Sequence, residues 1–264
     1  MTATQSFIHS EIRKQVSPLE WQTRMDLAAC YRLISLFRWE DLVYTHISAK
    51  VPGTEEFLIN PYGLMFDEIT ASSLVKVDLA GNKLLNTPYD INPAGFIIHS
   101  AVHEARADVG CVLHTHTADG IAVSMQKGGL LPLSQQSIFI RASLAYHPFE
   151  GVALNPEEKV RLQQDLGNKS YLILPNHGLL TCGETIADTF LMMYMLQRSC
   201  EVQIKAQSSG AELIHIAPEV EENTVAMTVE MNSAMRGNRK HLDGSVPWPA
   251  LLRRLDRLSP GYRD

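Results

Sequence analysis

Residues 109–117 read Val-Gly-Cys-Val-Leu-His-Thr-His-Thr, a short apolar run closing on two histidines spaced two apart. Its composition predicts a buried strand over Val109–His116. On a strand, residues two apart project to the same face, so His114 and His116 are expected to point together into one cavity. Two imidazoles placed that way can chelate one divalent ion, although the same spacing also occurs in ordinary surface histidines. Working outward, Ala94 to Arg106 reads as a helix before this strand and Ala118 to Gln126 as a helix after it. A second buried strand, Tyr171 to Leu174, ends at Pro175-Asn176-His177-Gly178. A histidine there, followed by a glycine that permits a sharp turn, can complete a facial set of three nitrogen ligands; the alternative is a histidine that caps a strand end. Three histidines leave an open coordination position, which a catalytic metal needs.

The rest of the chain continues the alternation. Trp21, Met25, Ala28, Ala29, Leu33, Leu36 and Phe37 recur at helical spacing and predict an amphipathic helix from Leu19 to Trp39. Residues 42–50 and 57–59 read as strands joined through a Pro52-Gly53 turn. Asn155-Pro156-Glu157-Glu158 is a helix start, with a capping side chain, a proline at the first position and acidic residues in the first turn. Gly167 ends that helix, and Glu184 to about Gln207 forms a long apolar one in which Met192, Met193 and Met195 pack. The class is therefore α/β, in layers around one mixed sheet. Residues 1–18 read as an N-terminal arm, 19–210 as the domain, and 211–264 as an extension that keeps an apolar cluster at Trp248, Leu251, Leu252 and Leu255.

Composition narrows the functional classes. The chain has 264 residues, 45% of them apolar and 20% charged, enough to bury a full core and too apolar for a disordered chain. No apolar run approaches the ~20 residues that span a bilayer, and the start lacks the order of a signal peptide. A net charge of −6 with no Lys/Arg stripe gives no nucleic-acid footprint. Cys30, Cys111, Cys182 and Cys200 form no CxxC pair and read as buried free thiols, so a cytoplasmic location is expected. The turn Asn60-Pro61-Tyr62-Gly63-Leu64 can offer backbone N–H groups to an anion or can be purely structural, and Thr70 is expected to cap a short helix. His46 is read as facing the cavity of His114, for substrate hydrogen bonding or acid–base work, with a structural role as the alternative. His147 can support the site or the fold. His99 and His103, four apart on one helix face, read as solvent-facing or core histidines.

Taken together, the stretches LVYTHISAK (42–50), FLINPYGLMFDEITASSLVKVDLAGN (57–82), NPAGFIIHSAVHEARADVGCVLHTHT (92–117), AYHPFEGVALNPEEKVRLQQDLG (145–167) and LILPNHGLLTCGETIADTF (172–190) resemble the class II aldolase/adducin family. INPYGL, EITASSLVK and the YH-x-x-x-G stretch (146–151) place the likeness nearer the adducin head and its free-standing bacterial relatives. The resemblance implies a three-layer αβα sandwich with a central, mainly antiparallel mixed sheet, and a homotetramer. It also implies a divalent metal ion on His114, His116 and His177, with zinc first and iron, manganese or cobalt as alternatives. Three departures bear on activity. The aldolases place a catalytic glutamate where Gly95 stands, and their Gly-Asn-Ile-Ser phosphate stretch reads Thr45-His46-Ile47-Ser48, which keeps Ser48 but brings a β-carbon at Thr45 where close backbone approach to phosphate wants glycine. A tyrosine acid of some aldolases falls near Gln135 or Gln136. The expected function is a metal-dependent lyase cleaving or decarboxylating a small hydroxy-, keto- or aromatic acid, with His46 moving protons and Ser48, Tyr62 and Gly63 binding substrate. A non-catalytic adducin-like scaffold and a three-histidine iron oxidative decarboxylase are the alternatives. The expected partner is a small-molecule substrate, not nucleic acid or a membrane.

Overall fold

The computed structural model describes residues 11–151, 156–236 and 243–264. Helix α1 (Pro18–Leu36) leads into strands β1 (His46–Lys50), β2 (Phe57–Ile59) and β3 (Val75–Val77). Then come α2 (Pro93–Ala105), β4 (Cys111–Thr115), α3 (Ala118–Ser124), α4 (Gln135–Arg141), β5 (Leu144–Tyr146) and α5 (Pro156–Leu166). The chain continues through β6 (Tyr171–Leu174), β7 (Gly178–Gly183), α6 (Ile186–Ser208), α7 (Pro218–Arg236) and α8 (Trp248–Leu258). The seven strands form one sheet in the order β3-β2-β1-β4-β7-β6-β5. Every pair is antiparallel except β5 with β6.

Strand alternation sorts the two faces. Ile47, Ala49, Cys111, Leu113, Ile173 and Leu179 enter the larger core, together with residues of α1, α6 and α8. Val112, Leu172, Leu174, Leu180 and Cys182 face the other way, against Ile98, Ala101 and Val102 of α2 and Leu162 and Leu166 of α5. The sheet thus lies between two helical layers, as expected. The four cysteines are buried and free. No helix among the described residues is long and apolar enough to cross a membrane.

Several helix starts follow the local chemistry of their residues. Ser17 accepts a hydrogen bond from Glu20 N at 3.1 Å with Pro18 behind it, and Asn92 accepts from Ala94 N at 3.1 Å with Pro93 in the same place. Asn155 lies outside the described residues. Two expectations change. The strand predicted over 42–50 begins only at His46, because 41–44 form a turn in which Tyr44 N bonds Asp41 O and Leu42 adopts φ 49°. Thr70 caps no helix: Thr70 and Ser73 bond each other reciprocally in a turn, and β3 begins two residues later.

The C-terminal segment is tied to the start of the domain. Trp248 and Leu255 of α8 join the larger core, and Trp248 Nε1 donates to Asp26 Oδ1 at 3.2 Å. Arg32 donates to Pro260 O at 2.6 Å, and Ala71 N to Tyr262 O at 2.9 Å. Helix α7 meets α4 through Arg141 Nε and Glu221 Oε1 at 2.7 Å.

One buried hydroxyl joins three elements. Tyr31 Oη on α1 accepts from Ile47 N at 2.7 Å and from Asn60 N at 3.1 Å, and also contacts the Ile47 carbonyl and Asn60 Oδ1. Tyr31→Phe leaves those sealed N–H groups without that acceptor and is expected to cost about 1–3 kcal/mol, read as a lower urea midpoint at unchanged slope. An unchanged midpoint would show that the hydroxyl does not hold β1 and β2 to the helix.

Candidate metal centre

Three elements meet at one edge of the sheet. β4 ends at Thr115, β6 ends at Leu174, and β7 begins at Gly178. The first two histidines lie at the end of β4, and His177 sits in the turn between β6 and β7. That turn is tight: Asn176 takes φ 59°, and a Cβ at Gly178 would lie 2.4 Å from the Thr115 carbonyl. Only glycine lets β7 approach β4 there and bring His177 over His114 and His116.

The three Nε2 atoms converge. His114 lies 2.8 Å from His116 and 3.2 Å from His177, and His177 lies 3.0 Å from His116. His114 Nδ1 meets the Leu179 carbonyl at 2.9 Å, and His116 Nδ1 meets Asp41 Oδ2 at 3.1 Å. A carbonyl and a carboxylate only accept, so each of these two rings carries its proton on Nδ1 and turns a bare Nε2 inward. Lone pairs set against each other repel unless a cation lies between them. A tetrahedral ion with bonds of about 2.0–2.1 Å holds neighbouring nitrogens roughly 3.3 Å apart, close to the observed triangle. Among the described residues this is the one His/Cys/Asp/Glu group with metal-ligand geometry. The donor set fits a divalent metal.

Burial acts on two of the three rings. Desolvation, reinforced by the neighbouring imidazoles, holds His114 well below its ordinary range, and desolvation with His116 holds His177 at about 4.

Beside the triad lies a second polar group on the same sheet face. His46 pairs with His114 across β1 and β4, and their ring centroids are 5.1 Å apart. His46 Nδ1 meets His99 Nε2 at 2.8 Å; Ser48 Oγ meets His99 Nδ1 at 2.6 Å and His103 Nε2 at 2.7 Å. All four side chains are buried, so His99 and His103 are core histidines and not solvent-facing ones. Desolvation pushes His46 and His99 well down and His103 to about 3. Gly95, on α2, is where a Cβ would lie 2.3 Å from His46 Cδ2.

The remaining candidates have other surroundings. Tyr62 and Gly63 follow β2 at the same end of the sheet, and Gly63 takes φ 99°. Tyr62 N donates to the Asp90 carbonyl at 2.8 Å, so that donor is already used within the turn. Glu104 is turned to Lys159 at 2.6 Å, and Gln135 and Gln136 open α4. His147 is buried, with Nδ1 on Asp165 Oδ2 at 2.7 Å, and two residues on Phe149 comes within 6.3 Å of the His177 ring.

The geometry agrees with what the chain resembles. The family described as Class II Aldolase and Adducin N-terminal domain matches residues 25–204. The chain belongs to the class II aldolase and adducin family. A Pseudomonas aeruginosa protein named "Putative aldolase class 2 protein" is 65% identical over the full length of both chains. Alpha-adducin of Mus musculus is 40% identical over 91% of this chain, which spans only 33% of that longer protein. Among solved structures, an aldolase II superfamily protein from Pseudomonas syringae is similar at 49% identity, with a TM-score of 0.89 over 96% of this chain and all of that one. L-fuculose 1-phosphate aldolase from Glaciozyma antarctica shares 26% identity, with a TM-score of 0.79 over 93% of each chain.

Asp41 and Phe149 were not legible as site residues in the sequence. Asp41 lies in the turn before β1 and carries no motif; only the fold brings it to His116. Asp41→Ala is expected to leave the fold intact and weaken zinc affinity about 10–100-fold in a competition titration; unchanged affinity would show that Asp41 does not orient His116. A second expectation concerns acid. His103 is neutral when folded down to about 3, whereas an unfolded histidine takes a proton near 6.5. Between those values the unfolded chain binds more protons, so stability is full above the upper value and falls as pH drops, by up to about 1.4 kcal/mol per pH unit for this group. The urea midpoint of metal-stripped His103→Gln should therefore fall less steeply with acid than that of the parent; parallel slopes would refute it.

Proposed function

We propose that this protein is a divalent-metal-dependent lyase that cleaves a C–C bond or decarboxylates a small hydroxy-, keto- or aromatic acid. The observation that carries the reading is the inward convergence of three Nε2 atoms, two of them on rings whose outer nitrogens are committed elsewhere. His114, His116 and His177 hold the ion, zinc first, with iron, manganese or cobalt as alternatives. When bound, such an ion supplies Lewis acidity, polarising a substrate oxygen and stabilising the charge that develops on it. Asp41 fixes the His116 ring, and His46 handles the proton beside the centre. Tyr62 and Gly63 contribute to the substrate rim, and Phe149 limits water at His177.

The carboxylate that sugar-phosphate aldolases use is missing at Gly95, and Glu104 is engaged with Lys159. Decarboxylation suits this arrangement, because breaking the bond to CO2 requires no prior proton removal from carbon and a single proton carrier then completes the product. A cytoplasmic homotetramer is proposed with this function on the strength of the family likeness.

Metal analysis of protein purified without added metal or a histidine tag should return about one ion per chain, and His177→Ala should lose it. His114→Ala with His116→Ala should also lose it while keeping the far-UV spectrum. Zinc or manganese directs a substrate screen to lyase chemistry, and iron to oxygen-dependent decarboxylation. No metal in any sample, even after divalent ions are supplied, would overturn the enzyme reading in favour of an adducin-like scaffold.

A further inference from the structure

At the end of the sheet remote from the metal centre, the strands border a second concave surface. The turn after β1, the loop entering β4, the loop leaving β7 and one side of α1 form an open groove of about 1440 Å³, with Trp248 and Pro249 of α8 in its wall. Six carboxylates line it, those of Asp26, Glu55, Asp108, Glu184, Asp188 and Asp243, and Lys50 is the one cation among its described lining residues. Lys50 is paired with Glu55 at 3.2 Å, and Asp108 with Arg106 at 2.8 Å. Asp26 and Asp188 are met by neutral donors, the Trp248 indole at 3.2 Å and the Gly244 N–H at 2.7 Å. The groove therefore holds an excess of negative charge.

Helix α8 carries the opposite sign. Pro249, Arg253 and Arg257 are exposed and follow one another at a spacing of four, along one side of the helix. A cationic stripe thus starts at the wall of the groove and runs about 12 Å along α8. Arg254 stands beside it, over the Phe37 ring at 5.4 Å. The one acid of the helix, Asp256, is taken by Arg263 at 2.5 Å. Arg253, Arg254 and Arg257 make no ion pair among the described residues. Well-mixed surfaces intersperse the two signs. Here they are segregated into two patches that share an edge at Pro249.

We propose that these two patches bind a second copy of this chain across a two-fold axis, the arginine stripe of each copy entering the acidic groove of the other. A foreign basic segment would answer the groove and leave the stripe unanswered. Two identical chains answer both at once, because an isologous contact presents the same surface from each side. Arginine suits the contact, since its fork matches carboxylates and its charge is weakly hydrated. Leu19 at the groove and Leu258 beyond the stripe, 66% and 59% exposed, add apolar area. The contact lies away from His114, His116 and His177, so it goes beyond the enzyme reading and stands without the metal. It also assigns a surface to self-association, which family likeness does not.

Sedimentation velocity on the full chain tests this by exchanging charges. The parent should associate, and more weakly as salt rises. Arg253→Glu with Arg257→Glu sets like charges against each other, and so does Glu55→Lys with Glu184→Lys. Each variant alone should lose about tenfold or more in association constant, with an unchanged far-UV spectrum and zinc content. Mixing the two variants brings opposite charges together on both halves of the contact and should restore association. If a reversed variant does not fold, Arg253→Gln with Arg257→Gln should still weaken association. A monomeric parent, parent-like association of either folded variant alone, or folded variants that stay apart when mixed would overturn the proposal. So would loss of association in Arg239→Gln with Lys240→Gln but not in the stripe variants, which would make residues 237–242 the occupant of the groove. Association by charge exchange in a chain that takes up no zinc would support the interface and overturn the metal reading, which keeps the two failures apart.

Discussion

Three imidazole nitrogens aimed at one point are an electrostatic liability, and much of the architecture at this sheet edge can be read as what holds them there. The Leu179 carbonyl on β7 takes the outer proton of His114, and Asp41 takes that of His116. Neither ring can then turn its proton inward to relieve the crowding of lone pairs. Desolvation works against protonation of His114 and His177. A cation placed among the three nitrogens satisfies the site. The antiparallel junction of β4 and β7, with a glycine at 178 because the Thr115 carbonyl comes so close, makes that convergence possible.

The two faces of β1 carry different chemistry. On β1, Ile47 and Ala49 enter the larger core, while His46 and Ser48 turn to α2. His46, His99, Ser48 and His103 bond to one another, which offsets much of the desolvation cost, while His103 Nδ1 is left without a partner. The arrangement contains no carboxylate. A neutral histidine chain beside a metal site differs from a carboxylate in what it can do: it passes and accepts protons without placing a permanent negative charge next to the substrate.

Family membership fixes the scaffold and leaves the chemistry open, since fold and function are separable. The relatives include a protein named as an aldolase and the adducins, in which the matched region is about a third of a longer chain. The three-histidine geometry, and not the likeness, is what favours an enzyme here.

Much of this was written locally in the chain. The alternation of Val112, Leu113 and His114 and the apolar run 171–174 each state their structure within a few residues, because side-chain periodicity is a short-range effect. His114, His116 and His177 were legible for the same reason, together with the family pattern. The turn at 41–44 was not, since its residues are compatible with a strand until the fold draws Asp41 to His116. Nor were the core roles of His99 and His103: a helix shows that they share a face, but not that β1 lays Ser48 between them. The partnership of His46 with Gly95 spans 49 positions and depends on how α2 packs on the sheet. Sequence alone determined which groups are available and which elements carry them; the tertiary structure decided which nitrogens face one another, because that depends on contacts between elements distant in the chain.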